Sequence, residues 1–235
     1  MLAKIIRRLR ARFITRLDYR GITVPVHGAH VIRPIKEELM TGRYEVPEIT
    51  ALQALLRPGD RMLEIGGGLG VVSGLAAKAV PDAVIESYEA NPALIAAIDE
   101  LHELNGLRSI TLHNRILVQG GGGGARDFHL HHSFAESSIV PGEGKDRSVP
   151  VPTEDFAAKL KSFRPHVLVV DIEGGEDELL SGADLAGLRA LVLELHPRVI
   201  DRAAEKRILD ACAAAGLYPR FDLSTANVVA FERVD

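Results

Sequence analysis

Apolar residues follow two rhythms along this chain. Near the N-terminus, Leu2, Ile5, Ile6, Leu9, Phe13 and Leu17 recur at three- and four-residue spacing with arginines between them, which predicts an amphipathic helix. From Arg61 onward, short apolar runs alternate with helical periods. Strands are predicted at Arg61–Ile65, 84–89, 109–113, 167–171 and Ala190–Glu194. The run at 167–171 opens with four apolar residues, three of them valine, and has the β-branched character of a buried parallel strand. Helices are predicted at Val71–Ala79, closed by Pro81, and from Asn91-Pro92, with Leu94, Ile98, Leu101 and Asn105 on one face and Pro92 at the first helical position. Further helices start at Glu176 and Arg202, the latter with Ala204, Ile208, Cys212 and Ala215 inward. Segments 217–223 and 227–233 read as a closing antiparallel pair. This alternation predicts an α/β fold, a mostly parallel sheet with helices on both faces and an antiparallel edge.

Between the third and fourth strands lies an irregular insertion. It holds five consecutive glycines at 120–124, a short strand near 127–130 and a turn-rich stretch at 141–145. A long insertion in a compact domain is usually functional or disordered. Here it is expected, with the N-terminal segment, to contact the substrate.

Composition narrows the classes. The 235 residues are 46% hydrophobic and 26% charged, the balance of one soluble globular domain. No apolar run approaches the roughly 18 residues of a membrane span. The single cysteine, Cys212, excludes an internal disulfide and a Cys-based metal cluster, and fits a reducing, cytoplasmic setting. There is no Trp and aromatics are 5%, so a base-stacking surface is poorly supplied and no nucleic-acid partner is expected. Charge is uneven: residues 1–20 carry seven Lys or Arg against one acid, Asp18, leaving 21 bases against 31 acids elsewhere. A basic amphipathic helix of this kind packs on its own domain or on a second subunit, a homodimer for instance, or lies on an anionic inner-membrane surface.

The sharpest chemical signal is Glu64-Ile65-Gly66-Gly67-Gly68-Leu69-Gly70, a strand running into a glycine turn and then a helix. A dinucleotide fingerprint needs Gly-x-Gly-x-x-Gly, and both frames fail, at Val71 and at Ser73. Glu64 beside the turn repels pyrophosphate and attracts a cation, which points to S-adenosyl-L-methionine with its ammonium and sulfonium. Glu89, 19 residues after Gly70 at the tip of the next strand, is placed to accept hydrogen bonds from ribose hydroxyls. Asp171 and Glu173 end the fourth strand, and His196 ends its neighbour. Acids and a histidine on one rim can take a proton from a substrate hydroxyl or hold a divalent cation; capping of the following helix is the plain alternative. His129, His131 and His132 read as a solvated cluster rather than a metal site, and Cys212 as a core residue; no metal site is assigned.

These segments resemble, in order, the FkbM-type methyltransferases within the class I S-adenosylmethionine-dependent fold. The resemblance covers about residues 42–232: Arg43-Tyr44-Glu45, Arg57-Pro58-Gly59-Asp60, Glu64 to Gly70, Glu89, Asn114, Val151-Pro152-Thr153-Glu154-Asp155-Phe156, Asp171-Ile172-Glu173-Gly174-Gly175-Glu176 and Glu194-Leu195-His196. It departs from the family pattern at Glu64, Gly67-Gly68 and Glu154. It implies a Rossmann-like seven-stranded sheet with an antiparallel terminal hairpin strand, and a lead-in over 1–41 before a methyltransferase domain over 42–235. It implies S-adenosyl-L-methionine held by Glu64, Gly66, Gly68, Gly70, Glu89, Asn114 and Asp171, an acceptor near Tyr44 and Glu45, and catalysis by Asp171, Glu173 and His196. The expected reaction is methylation of a small-molecule or carbohydrate-like hydroxyl. A nucleotide-cofactor oxidoreductase and a non-catalytic nucleoside-binding module are the alternatives.

Overall fold

The alternation of Leu17, Tyr19, Ile22 and Val24 around Arg20-Gly21 has a period of two, and the chain folds accordingly. In the computed structural model, which describes residues 11, 13–28, 31–131, 133–142 and 147–234, β1 (Arg16–Tyr19) and β2 (Ile22–Pro25) form an antiparallel hairpin. Its turn places Arg20 and Gly21 at positive φ. The helix expected through Leu17 therefore stops before Arg16, because strand alternation and a glycine turn override the weaker three-four spacing. Leu2, Ile5, Ile6 and Leu9 lie outside the described residues. Two helices follow, α1 (Arg33–Met40) and α2 (Val46–Leu55), each with proline in its first turn.

The βα alternation comes next: β3 (Arg61–Ile65), α3 (Val71–Ala79), β4 (Val84–Tyr88), α4 (Ile95–Asn105) and β5 (Ile110–His113). Helix α4 starts at Ile95 rather than at Pro92, because Asn91 Oδ1 accepts the Ala93 N–H (3.0 Å) and holds Pro92 in a turn. The insertion supplies β6 (Ile116–Val118), β7 (Ala125–Leu130) and β8 (Arg147–Asp155). The chain closes with α5 (Phe156–Phe163), β9 (Val167–Val170), α6 (Glu176–Leu180), β10 (Ala190–Glu194), α7 (Arg202–Ala214), β11 (Leu217–Pro219) and β12 (Val228–Arg233).

Seven strands make one sheet in the order β11-β12-β10-β9-β3-β4-β5. Neighbours from β10 to β5 run parallel, and β12 alone runs antiparallel to both its partners. Strand order reverses between β3 and β9, and that switch point is where open α/β sheets bind ligands, beyond the carboxyl ends. Alternation sends Met62, Ile85, Val167, Val169 and Val192 to one face, under Ala51, Leu52 and Leu55 of α2. Leu63, Ile65, Leu168, Val170 and Leu193 go to the other, under Leu179, Ile208 and Cys212. The hairpin and α1 bury Tyr19, Ile22, Val24, Ile35 and Leu39 against Leu75, Ile98 and Leu101 of α3 and α4.

The insertion is more regular than its glycines and prolines suggest. β6, β8 and β7 form a three-stranded sheet around Ile116, Phe128 and Val151. Pro150 and Pro152 are tolerated in β8 because the Thr153 N–H faces β7, donating to Gly124 O (2.9 Å). The even positions therefore present their missing donors to the other edge, where β6 pairs only from Thr153 onward.

Candidate active site

The glycine turn sits between three strand ends. Gly66, at φ 93°, passes so close to β9 that a Cβ there would lie 1.8 Å from the Asp171 carbonyl oxygen. Gly66 and Gly67 N–H both donate to Tyr88 O (2.9 and 3.0 Å), tying the turn to β4. Glu64 is 1% exposed, and its carboxylate accepts the Ser73 N–H (3.0 Å) and the Ser87 hydroxyl. One oxygen thus ties the end of β3 to the start of α3, and the other ties it to β4. Burial pushes the Glu64 pKa up to about 7.

Glu89 is the group presented at the turn. Its Oε2 accepts the Gly68 N–H (2.7 Å) and its Oε1 the Asn91 N–H (2.6 Å). Burial raises its pKa to about 7 against the lowering pull of those donors. Each oxygen keeps a second lone pair for a ligand hydroxyl. Asn114 acts behind it: its Nδ2 donates to Glu89 O (2.8 Å) and Ala90 O (3.1 Å), fixing the strand end. It is not among the residues that line the cavity.

A cavity of about 280 Å³ opens over these strand ends. Its walls include Gly68, Glu89, Asp171 and Glu173 from the main sheet, with Phe128 and Phe134 from the insertion. The insertion thus contributes to the wall of this cavity. A Cβ on Gly68 would point at Phe134 and the Tyr44 hydroxyl, each 3.6 Å away. Tyr44 itself is buried, and its carbonyl accepts the Tyr19 hydroxyl.

The rim brings together Asp171, Glu173 and His196. His196 Nδ1 lies 2.5 Å from Oε1 of the fully buried Glu176, and its Nε2 lies 3.3 Å from Glu173 Oε1 and 3.9 Å from Asp171 Oδ1. Burial pulls the imidazole pKa down, but the hydrogen bonds to Glu173 and Glu176 outweigh it and push it to about 11. Both ring nitrogens face carboxylates, which favours the imidazolium and disfavours His196 as a free base. Burial, then the charges of Glu45 and Glu194, hold Asp171 well above the usual carboxylate range.

Two participants carry no site role in the sequence reading. Glu48 and Glu194 join Glu45 beneath the rim, with one carboxylate oxygen of each within 4.8 Å of the others. The signal was present as Glu45 and Glu48, two acids three apart at a helix start and so on one face. His129 and His131 join no such group among the described residues, and His132 lies outside them. Cys212 is fully buried, and burial pushes its thiol up to about 12. Among the described residues, no helix is long and apolar enough to cross a membrane.

Strand order, the single antiparallel strand and the turn at the switch point define the Rossmann-like class I methyltransferase fold. The chain is similar to a precorrin-6y C5,15-methyltransferase from Geobacter metallireducens GS-15, at 16% identity over 81% of this chain and 88% of that one, TM-score 0.48. It is similar to a putative O-methyltransferase from Klebsiella pneumoniae, at 13% identity over 99% and 90%, TM-score 0.47. It is similar also to M. jannaschii TYW2 in complex with AdoMet, at 10% identity over 93% and 86%, TM-score 0.45. Likenesses of this size assign neither activity nor acceptor, and nothing in them supports the expectation of no nucleic-acid partner. No protein-family model and no curated protein matches the chain, so the FkbM-type resemblance rests on its motifs.

Proposed function

We propose that this protein is an S-adenosylmethionine-dependent methyltransferase of the FkbM type that methylates a hydroxyl oxygen of a small-molecule or carbohydrate-like acceptor. The observation that carries the reading is Glu89. Its carboxylate is fixed by two backbone N–H groups, beside a turn whose Gly68 leaves the cavity open where a side chain would project. That arrangement suits a ribose diol at the carboxyl edge of a doubly wound sheet.

When bound, the cofactor supplies an electrophilic methyl on a sulfonium, so the protein's part is positioning and proton removal. Glu89 binds the ribose. The glycine turn gives the backbone close approach, and Glu64 acts from behind by locking that turn. Glu173 is the base: it lines the cavity and reaches solvent, while His196, held protonated by Glu176, orients it. Tyr44 and Glu45 close the acceptor side. Residues 42–235 form the catalytic domain on this reading, and residues 1–41 its lead-in.

Calorimetry tests it. Both S-adenosylmethionine and its demethylated product are expected to bind in the micromolar range, about 7–8 kcal/mol. Glu89→Ala weakens both alike, because the ribose is common to them. Glu173→Gln leaves affinity in place and lowers the single-turnover rate by about two decades or more. Absence of binding, or tighter binding of a nicotinamide dinucleotide, refutes the assignment.

A further inference from the structure

Beneath the rim, the α2 start and the β10 end bring three carboxylates to one point. Glu45 caps α2 in the left-handed conformation (φ 49°), Glu48 lies one turn on, and Glu194 ends β10. One oxygen of each lies within 4.8 Å of the other two. Glu48 is 4% exposed, lines the cavity, and its buried Oε2 has no hydrogen-bond partner. A buried carboxylate oxygen left without a donor costs free energy unless something fills that place. Among the described residues, no Lys, Arg or His forms an ion pair with any of the three. The nearby cation, His196, is committed to Glu173 and Glu176. A second grouping, Asp171, Glu194 and His196, shares Glu194 but draws on that committed imidazole.

We infer that Glu45, Glu48 and Glu194 form a binding site for a hard divalent cation of the Mg²⁺, Mn²⁺ or Ca²⁺ class. The donor set is all carboxylate oxygen, with no thiolate and no imidazole, which selects against zinc and copper and for oxygen-seeking ions. Oxygens spaced this way fit around one ion at about 2.1–2.6 Å from each. Water or an acceptor oxygen then completes the coordination from the cavity side. The inference deepens the proposed function by naming what holds the acceptor oxygen beside the rim, and its test needs no cofactor.

The ligand-free full chain is titrated with Mn²⁺ by electron paramagnetic resonance, and with Mg²⁺ and Ca²⁺ by calorimetry. One saturable site is expected. Glu48→Gln weakens it about tenfold or more, since ligand charge sets such affinities. Glu178→Gln, on the same cavity wall but paired with Arg126, leaves it unchanged. Circular dichroism checks that Glu48→Gln folds, and Glu194→Gln serves in its place should it fail. Absence of saturable binding at millimolar metal, or equal affinity in wild type and both variants, overturns the inference. S-adenosylmethionine binding measured on the same wild-type sample separates the outcomes: metal-free but cofactor-binding protein removes the cation site alone. A protein that binds neither removes the methyltransferase reading too.

Discussion

Replacing Gly66 by alanine isolates what its close approach to the end of β9 is worth. A Cβ at that position would stand 1.8 Å from the Asp171 carbonyl oxygen and 2.8 Å from its carbon, both main-chain atoms that no rotamer change moves aside. Relief requires β3 and β9 to part at their carboxyl ends. That opens the Asp171 N–H bond to Ile65 O (2.9 Å) and strains the Gly66 N–H bond to Tyr88 O (2.9 Å). Each buried backbone group left unpaired costs about 1–3 kcal/mol. The positive φ adds about 1–2 kcal/mol for any residue with a Cβ. The expected loss is about 4 kcal/mol or more, which at this chain length lowers Tm by about 10 °C. Gly182 provides the control, because it has a similar φ of 86° and a Cβ there would meet nothing within 4 Å. Gly182→Ala therefore carries only that backbone term, about 1–2 kcal/mol and about 5 °C. Scanning calorimetry of the two variants reads the difference directly. Equal Tm losses for both would refute the argument that the β3–β9 approach is rigid.

Two other expectations follow from the buried carboxylates. Glu64 has an ordinary value of 4.5 and a folded value of about 7, so between those pH values the folded protein holds a proton that the unfolded chain has lost. Its contribution is full below the unfolded value and disappears as pH rises through about 7, a swing of about 3 kcal/mol. Glu64→Gln keeps both partners, since an amide can accept the Ser73 N–H and donate to the Ser87 hydroxyl; denaturant titrations should show its stability gaining on wild type as pH rises, and a pH-independent gap would contradict this. Asn114→Ala removes two bonds to the Glu89 strand end; it should cost about 1–2 kcal/mol of stability and weaken cofactor and product equally, and an unchanged affinity would show that Glu89 needs no such support.

The main sheet was legible because its signals are local and redundant. Residues 167–170 form an apolar run bounded by turn formers, and β9 occupies Val167–Val170. The Gly turn after Ile65 and the start of α3 at Val71 follow the same logic. Local cues mislead where the neighbours of an element overrule them. Pro150 and Pro152 argue against a strand, yet β8 runs through both because only one of its edges is paired there. The three-four spacing through Leu17 argued for helix, and a two-residue turn at Arg20-Gly21 decided otherwise.

The site divides along a related line. Residue type and strand-end position suffice to nominate Glu64, Glu89, Asp171 and His196, because the carboxyl edge of a parallel sheet is where ligands meet the chain. Protonation and direction do not follow from type. His196 invites the role of base, and only its approach to Glu173 (3.3 Å) and to the buried Glu176 (2.5 Å) reveals the carboxylates that raise its pKa. Glu64 invites the role of cation partner, and only the Ser73 and Ser87 bonds show a carboxylate turned to the support of α3 and β4. Glu194 sits between, its strand visible in sequence but its meeting with Glu45 and Glu48 set by tertiary packing of α2 across the sheet. Charge placed by such packing is invisible to periodicity, which reports the face a side chain occupies and not which other chain segment shares it. The unpartnered Glu48 oxygen is the extreme case. A glutamate in the first turn of a helix is ordinary in sequence, and becomes chemically informative only when burial leaves one of its oxygens without a donor.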